Sequence, residues 1–259
     1  MKIKEIMTTD VVSVDKDEDL KHILSLMKKH NITKIPVVDK KNFLGIVTDN
    51  TISYKLGSFK KRSISTSRLY ASSVIDKDVT TLSEDTDVKK ILKMVGQPGP
   101  TILPVVEEGK LLGVVTKADL LFLVNSTQPL NTIMQRKIHQ VSPNDRVVHA
   151  RRIMIDENVA RLPVVEEGKL LGIISDIEIA FAFASLKKSF AIGRQKHKLE
   201  ELTVESIMKS PVLSTTRTVT IAEAAKIMID NSIGSLPVVD NEEIVGMVTR
   251  TDLLKTVSL

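Results

Sequence analysis

Apolar residues fall at helical spacing in four places along the chain: Leu20, Ile23 and Met27; Val88, Ile91 and Val95; Val147, Ala150 and Met154; Ile221, Ala224 and Met228. Each set lines one face of an amphipathic helix. Each is followed by a short apolar run with a proline in it: Ile35-Pro36-Val37-Val38, Leu103-Pro104-Val105-Val106, Leu162-Pro163-Val164-Val165 and Leu236-Pro237-Val238-Val239. A turn (Glu108-Gly109 in the second case, Glu167-Gly168 in the third) leads to a further apolar run such as Leu111-Leu112-Gly113-Val114-Val115. Two such runs about a tight turn predict a β-hairpin. The fourth helix opens on Thr220-Ile221-Ala222-Glu223, the pattern of a capping box.

These segments are copies of one unit. Pro36, Pro104, Pro163 and Pro237 are unevenly spaced, yet other residues keep fixed offsets from them. Downstream of each proline, always at the same distance, comes Gly45, Gly113, Gly172 or Gly246, and then Thr48, Thr116, Ser175 or Thr249. Met7, Ile75, Met134 and Met208 keep an equally constant distance upstream. A second helix is expected to begin near the hydroxyl. The unit is therefore strand–helix–strand–strand–helix, an α/β (α+β) fold, with copies at 1–57, 70–125, 128–185 and 202–259. One copy is too small to bury a good core alone. Pairing in chain order is expected, giving modules 1–125 and 126–259.

Composition narrows the function. Hydrophobic residues make up 42% and charged residues 27%, as in ordinary globular proteins. No apolar run approaches the roughly 18 residues of a membrane span, and the start Met1-Lys2-Ile3-Lys4-Glu5 has no secretory apolar stretch, so a cytoplasmic protein is expected. The absence of cysteine removes disulfides, thiolate nucleophiles and cysteine-held metals. The histidines (His22, His30, His139, His149, His197) show no metal spacing, and no serine elbow, Walker loop or dinucleotide fingerprint is present. No enzyme and no metal are expected. The net charge of +5 is local: Lys55, Lys60, Lys61, Arg62 and Arg68 form one stretch without acids, and Lys187, Lys188, Arg194, Lys196 and Lys198 another.

The pattern Ile-Met, then Leu-Pro-Val-Val, then Gly followed by two apolar residues and Ser/Thr-x-x-Asp, resembles the CBS domain over nearly the whole chain. Four copies in one chain resemble the γ subunit of AMP-activated protein kinase and its stand-alone prokaryotic relatives. That resemblance implies a disc-like pair of tandem modules, with clefts between paired copies that take AMP, ADP or ATP. It implies a non-catalytic regulatory protein that senses energy state and acts on an enzyme or kinase-like partner, as monomer or homodimer. A carboxylate at a helix start can accept both ribose hydroxyls, but Thr-x-x-Asp is also a helix cap. The implied ligand residues are Val114, Thr116 and Asp119 with Val12, Ile32, Thr33 and Lys34 from the partner copy. In the second module they are Met247, Thr249, Thr251 and Asp252 with His139, Val159, Ala160 and Arg161. Lys34 and Arg161 are placed to meet phosphate. Copy three offers Ser175 and the longer acid Glu178; copy one, with Thr51 in the acid's place, departs most from the pattern.

Two other classes compete. A sensor of S-adenosyl compounds would use the same clefts, although those ligands lack phosphates for Lys34 and Arg161. Nucleic-acid binding would use the basic stretches, but only Phe59 and Phe190 sit within basic runs, too few for a stacking platform. The apolar segment starting at Ile179 is expected to be a packing helix between repeats.

Overall fold

The structure, a computed structural model, describes residues 1–57, 69–96, 102–189 and 201–257. Most of both basic stretches, with Phe59, Phe190 and His197, lies outside the described residues. Copy one supplies β1 (Val14–Asp15), α1 (Leu20–His30), β2 (Lys34–Asp39), β3 (Asn42–Thr48) and α2 (Asp49–Gly57). Copy two supplies α3 (Val88–Val95), β4 (Ile102–Glu107), β5 (Lys110–Thr116) and a 3₁₀ helix, Ala118–Leu123, in place of the expected α-helix. Copy three contains α4 (Val147–Asp156), β6 (Arg161–Glu166), β7 (Lys169–Ser175) and α5 (Asp176–Ser189). Copy four contains β8 (Thr215–Thr216), α6 (Ile221–Asp230), β9 (Ser235–Asp240), β10 (Glu243–Thr249) and the short α7 (Arg250–Leu254).

Local chemistry accounts for these boundaries. The Asp19 carboxylate accepts the His22 amide at the start of α1, as an N-cap does. Asn31, in the left-handed conformation, ends the helix. Thr220 and Glu223 form the reciprocal cap of α6. The hairpin turns place two successive residues in the left-handed region, Glu108 and Gly109 at φ 49° and 78° and Lys40 and Lys41 at 49° and 76°. Two left-handed residues match the twist of a two-residue hairpin. The first strands are brief: β1 begins two residues beyond Val12, while copies two and three keep single bridges, Leu82 to Val105 and Val141 to Val164.

The strands form two five-stranded sheets, β1-β2-β3-β5-β4 and β6-β7-β10-β9-β8. Copies one and two thus share a sheet, as do three and four, each joined where hairpin tips meet (Asn42 with Lys110, Lys169 with Glu243). Side chains follow a second pairing. One core unites copies one and three, for example Ile23, Met27 and Ile35 with Val147, Met154 and Phe183. The other unites two and four, for example Ile91, Leu103 and Val115 with Ile221, Met228 and Leu236. The apolar α5 buries Ile179, Ala180 and Phe183 and lies along α2.

The segment before each first strand packs into the neighbouring copy. Ile3 belongs to the core of copies two and four, whereas Leu69, Ala71 and Val74 belong to that of one and three. This crossing explains the repeated glycines. A Cβ on Gly113 would stand 2.8 Å from the Thr8 carbonyl oxygen and 2.9 Å from Met7 Sδ; one on Gly246 would stand 2.9 Å from Met134 Sδ and 3.1 Å from the Gln135 oxygen. A Cβ on Gly172 would meet Met208 Sδ at 2.5 Å in the same way. At Gly45 the obstacle is the Asp76 carbonyl oxygen, which belongs to backbone and cannot swing aside, and φ is 153°. Gly45→Ala is expected to destabilise the protein by about 3 kcal/mol, and Gly246→Ala by less because Met134 can adjust. Urea unfolding of the two variants, showing equal losses, would contradict this account.

Candidate ligand clefts

Each second helix starts with a hydroxyl and, three residues on, a partner for it. In copy four, Asp252 Oδ2 accepts from the Thr249 amide at 2.9 Å and the Thr249 hydroxyl at 2.6 Å. In copy two, Asp119 Oδ2 accepts from the Thr116 amide at 2.6 Å and its hydroxyl at 2.8 Å. In copy three, Glu178 Oε2 accepts from the Ser175 amide at 3.0 Å and from its hydroxyl. Thr51 does the same work in copy one, where its hydroxyl accepts the Thr48 amide at 3.0 Å and its own amide donates to Thr48 Oγ1. The amide of the hydroxyl residue is thus satisfied in all copies, and in copy one without a charge.

The crossing segment delivers further groups to these caps. Antiparallel bridges set Thr8 opposite Val114, Asp76 opposite Ile46, Gln135 opposite Met247 and Lys209 opposite Ile173. The amides and carbonyls of Val114 and Met247 are therefore spent on Thr8 and Gln135, at 2.9 to 3.0 Å. Gln135 Nε2 donates to both oxygens of Asp252 at 3.1 Å, and Lys209 Nζ lies 3.0 Å from Glu178 Oε1. The sequence does not single out Gln135 and Lys209, although both immediately follow the repeated methionine.

The partner residues divide. The Thr33 carbonyl accepts the Asp49 amide at 2.9 Å and the Ala160 carbonyl the Asp176 amide at 3.4 Å, so both close their own copies. Ile32 and Val159 are half-buried at the ends of α1 and α4, and Val12 is half-buried before β1. His139 sits 3.4 Å from Glu157 of its own copy. Lys34 donates to Thr33 Oγ1 at 3.1 Å and lies 3.9 Å from Asp49 Oδ1; Asp119 is faced by the charge of Arg250. Arg161 does reach copy four, with its guanidinium 2.8 Å from where a Gly234 Cβ would lie.

The residue after each hydroxyl carries chemistry that the Ser/Thr-x-x-Asp pattern leaves out: Asp49, Lys117, Asp176 and Arg250. Three of them are buried and all are ionisable. Asp176 accepts Asn50 Nδ2 at 3.2 Å and Ser53 Oγ at 3.0 Å from copy one. Burial raises the Asp176 carboxyl above its usual range, and the charge of Asp49 adds to this. Burial likewise raises Asp49, against the pull of Lys34 and Arg161, because a low-dielectric surrounding disfavours the charged form. Burial lowers Lys34 for the same reason. Lys117 Nζ crosses between modules to donate to Thr251 Oγ1 at 2.7 Å, and burial lowers its pKa to about 8 despite the charge of Asp252. A signal existed: one register position is ionisable in every copy at a helix start beside the core.

Lys117 makes a pH prediction. The folded protein releases this proton near pH 8, whereas the unfolded chain holds it to about 10.5. The unfolded state then binds more protons across that window, so stability gains from this group as pH rises through it. The gain is up to about 2 kcal/mol once solvent screening of the ammonium is allowed for. Lys117→Met is expected to lack that gain. Parallel unfolding curves for the two proteins between pH 7.5 and 10 would contradict it.

Among the described residues no group of three or more His, Asp or Glu could hold a metal, and no helix is long and apolar enough to cross a membrane. The CBS-domain family model matches residues 3–57, 71–126, 130–185 and 204–259. MJ1404 of Methanocaldococcus jannaschii is 29% identical over 99% of this chain, which spans 62% of that protein's length. MJ1225 of the same organism is 27% identical over 95% of this chain and 94% of its own. Its crystal structure, described as that of a proposed archaeal homologue of g-AMPK, superposes with a TM-score of 0.84, at 25% identity over 98% of this chain and 99% of that one. A conserved protein from Pyrococcus horikoshii shares the fold, with a TM-score of 0.61 at 23% identity over the full length of both chains. With four matched repeats covering most of its length, the chain belongs to the CBS-domain family.

Proposed function

We propose that this is a non-catalytic regulatory protein that binds AMP, ADP or ATP in clefts between paired copies and conveys energy state to a partner enzyme. One observation carries the reading. In copy three the acid gives one oxygen to Ser175 and turns the other toward Lys209 of the partner copy's segment, and in copy four Gln135 of the partner segment reaches both oxygens of Asp252, so each acid has acceptor capacity beyond the cap. Thr51 shows that the cap needs no carboxylate, so the acid is surplus to capping. A ribose offers two hydroxyl donors to such an oxygen pair, as in dinucleotide folds.

The phosphates have partners too. Arg161, Lys34 and Arg250 lie close enough to influence one another, at the start of strands and helices bordering the clefts. Like-charged groups held together gain from an intervening polyanion. The overall likeness to MJ1225, whose structure is described as that of a proposed archaeal homologue of g-AMPK, supports this reading. A cytoplasmic setting suits a sensor of nucleotide pools.

Calorimetric titration of the whole chain tests this with AMP, ADP, ATP, adenosine and methylthioadenosine. Adenine nucleotides are expected to bind at more than one cleft. Asp252→Ala should weaken one cleft at least tenfold, which corresponds to about 1.4 kcal/mol. Arg161→Ala should weaken nucleotides and spare adenosine. If Asp252 were a cap alone, its loss would cost about 0.5–2 kcal/mol of stability and leave affinity intact. Tight binding of methylthioadenosine with none of AMP would instead establish an S-adenosyl sensor.

A further inference from the structure

We infer that Lys209 is an internal competitor that keeps the Glu178 cleft closed to nucleotide, and that the residue at its register position sets the rank of each cleft. The inference rests on the nucleotide reading above. Thr8, Asp76, Gln135 and Lys209 occupy one place, each bridged to the strand residue two before the hydroxyl of the partner copy. All four are exposed, so they stand at the surface beside the partner copy's helix start and not in the core.

What each does there differs by chemistry. Lys209 sets its ammonium 3.0 Å from Glu178 Oε1, while the Glu178 side chain is only 9% exposed. The other oxygen, Oε2, is held by Ser175. A ribose arriving at Glu178 must therefore break an ion pair to a carboxylate that water scarcely reaches, and such bonds are stronger than neutral ones. Gln135 covers Asp252 with an uncharged amide at 3.1 Å, a weaker obstacle. Among the described residues, the Thr8 side chain makes no hydrogen bond to Asp119. Asp76 turns to its own loop, accepting the Asp78 amide at 3.1 Å, and its cleft offers only Thr51. The resulting rank for the ribose is Asp119, then Asp252, then Glu178, with Thr51 last.

Lys209 is largely exposed, so its removal is expected to spare folding. Lys209→Gln reproduces in copy four's segment the arrangement already present at Gln135. The experiment is AMP calorimetry on the full chain for the unaltered protein, Lys209→Gln, Lys209→Ala and Gln135→Lys, with melting temperatures measured alongside. Both Lys209 variants are expected to bind one more AMP per chain than the unaltered protein, and adding Glu178→Ala should abolish that site. Gln135→Lys should weaken one existing site at least tenfold. Unchanged stoichiometry in both Lys209 variants overturns the inference while leaving the nucleotide reading intact. AMP binding only after Lys209 is replaced would support the competitor and refute nucleotide binding at Asp119 and Asp252. No binding by any of the proteins refutes both.

Discussion

The crossing of the segments at Met7, Ile75, Met134 and Met208 over the neighbouring copy's glycine is the contact on which the other features depend. A strand residue with any side chain would hold the segment off, and the segment brings the apolar residues that finish the neighbouring core, such as Ile3, Val74, Met134 and Val204. The same contact fixes where Thr8, Asp76, Gln135 and Lys209 emerge, two residues before the hydroxyl that opens the next helix. Pairing of copies and completion of their cores are thus one event. A protein whose copies each borrow a segment cannot be divided at the copy boundaries without opening its cores.

Charge organises the meeting of the two modules in the other direction. Copies one and three bring Asp49 and Asp176 together, a like-charged pair tolerable because Lys34, Arg161, Asn50 and Ser53 surround it. In copies two and four the signs reverse. Lys117 lies within electrostatic reach of Asp252 and Arg250 of Asp119, each across to the other module. Buried ionic groups seldom add much stability compared with apolar packing, but a mismatched one is costly.

The repeat, the element order and the positions of the helices were legible because they depend on periodicity and fixed offsets, which a sequence displays directly. Copy two's second helix was not: Ala118–Leu123 forms a 3₁₀ turn where the other copies keep an α-helix. The pairing of cores, one with three and two with four, was also hidden, since apolar patterning shows which face is buried and not against what. The acids and hydroxyls of the clefts could be named from their spacing. Gln135 and Lys209 could not, because a lone polar residue beside a methionine has no signature until the chain crossing places it against a carboxylate.

The geometry at Asp252 makes capping compatible with ligand binding. A helix start needs an acceptor for its unsatisfied amides, and Oδ2 takes both the amide and the hydroxyl of Thr249. A carboxylate has lone pairs beyond those the cap uses. In copy four those face Gln135, and in copy three Lys209. The cap holds the carboxylate in a fixed orientation, so a ligand that takes the remaining acceptors meets a group already in place and spends little on ordering it. Thr51 performs the first task with its hydroxyl already shared between the Thr48 amide and carbonyl, so one residue's difference separates a capped helix from one that also carries a carboxylate with acceptors to spare.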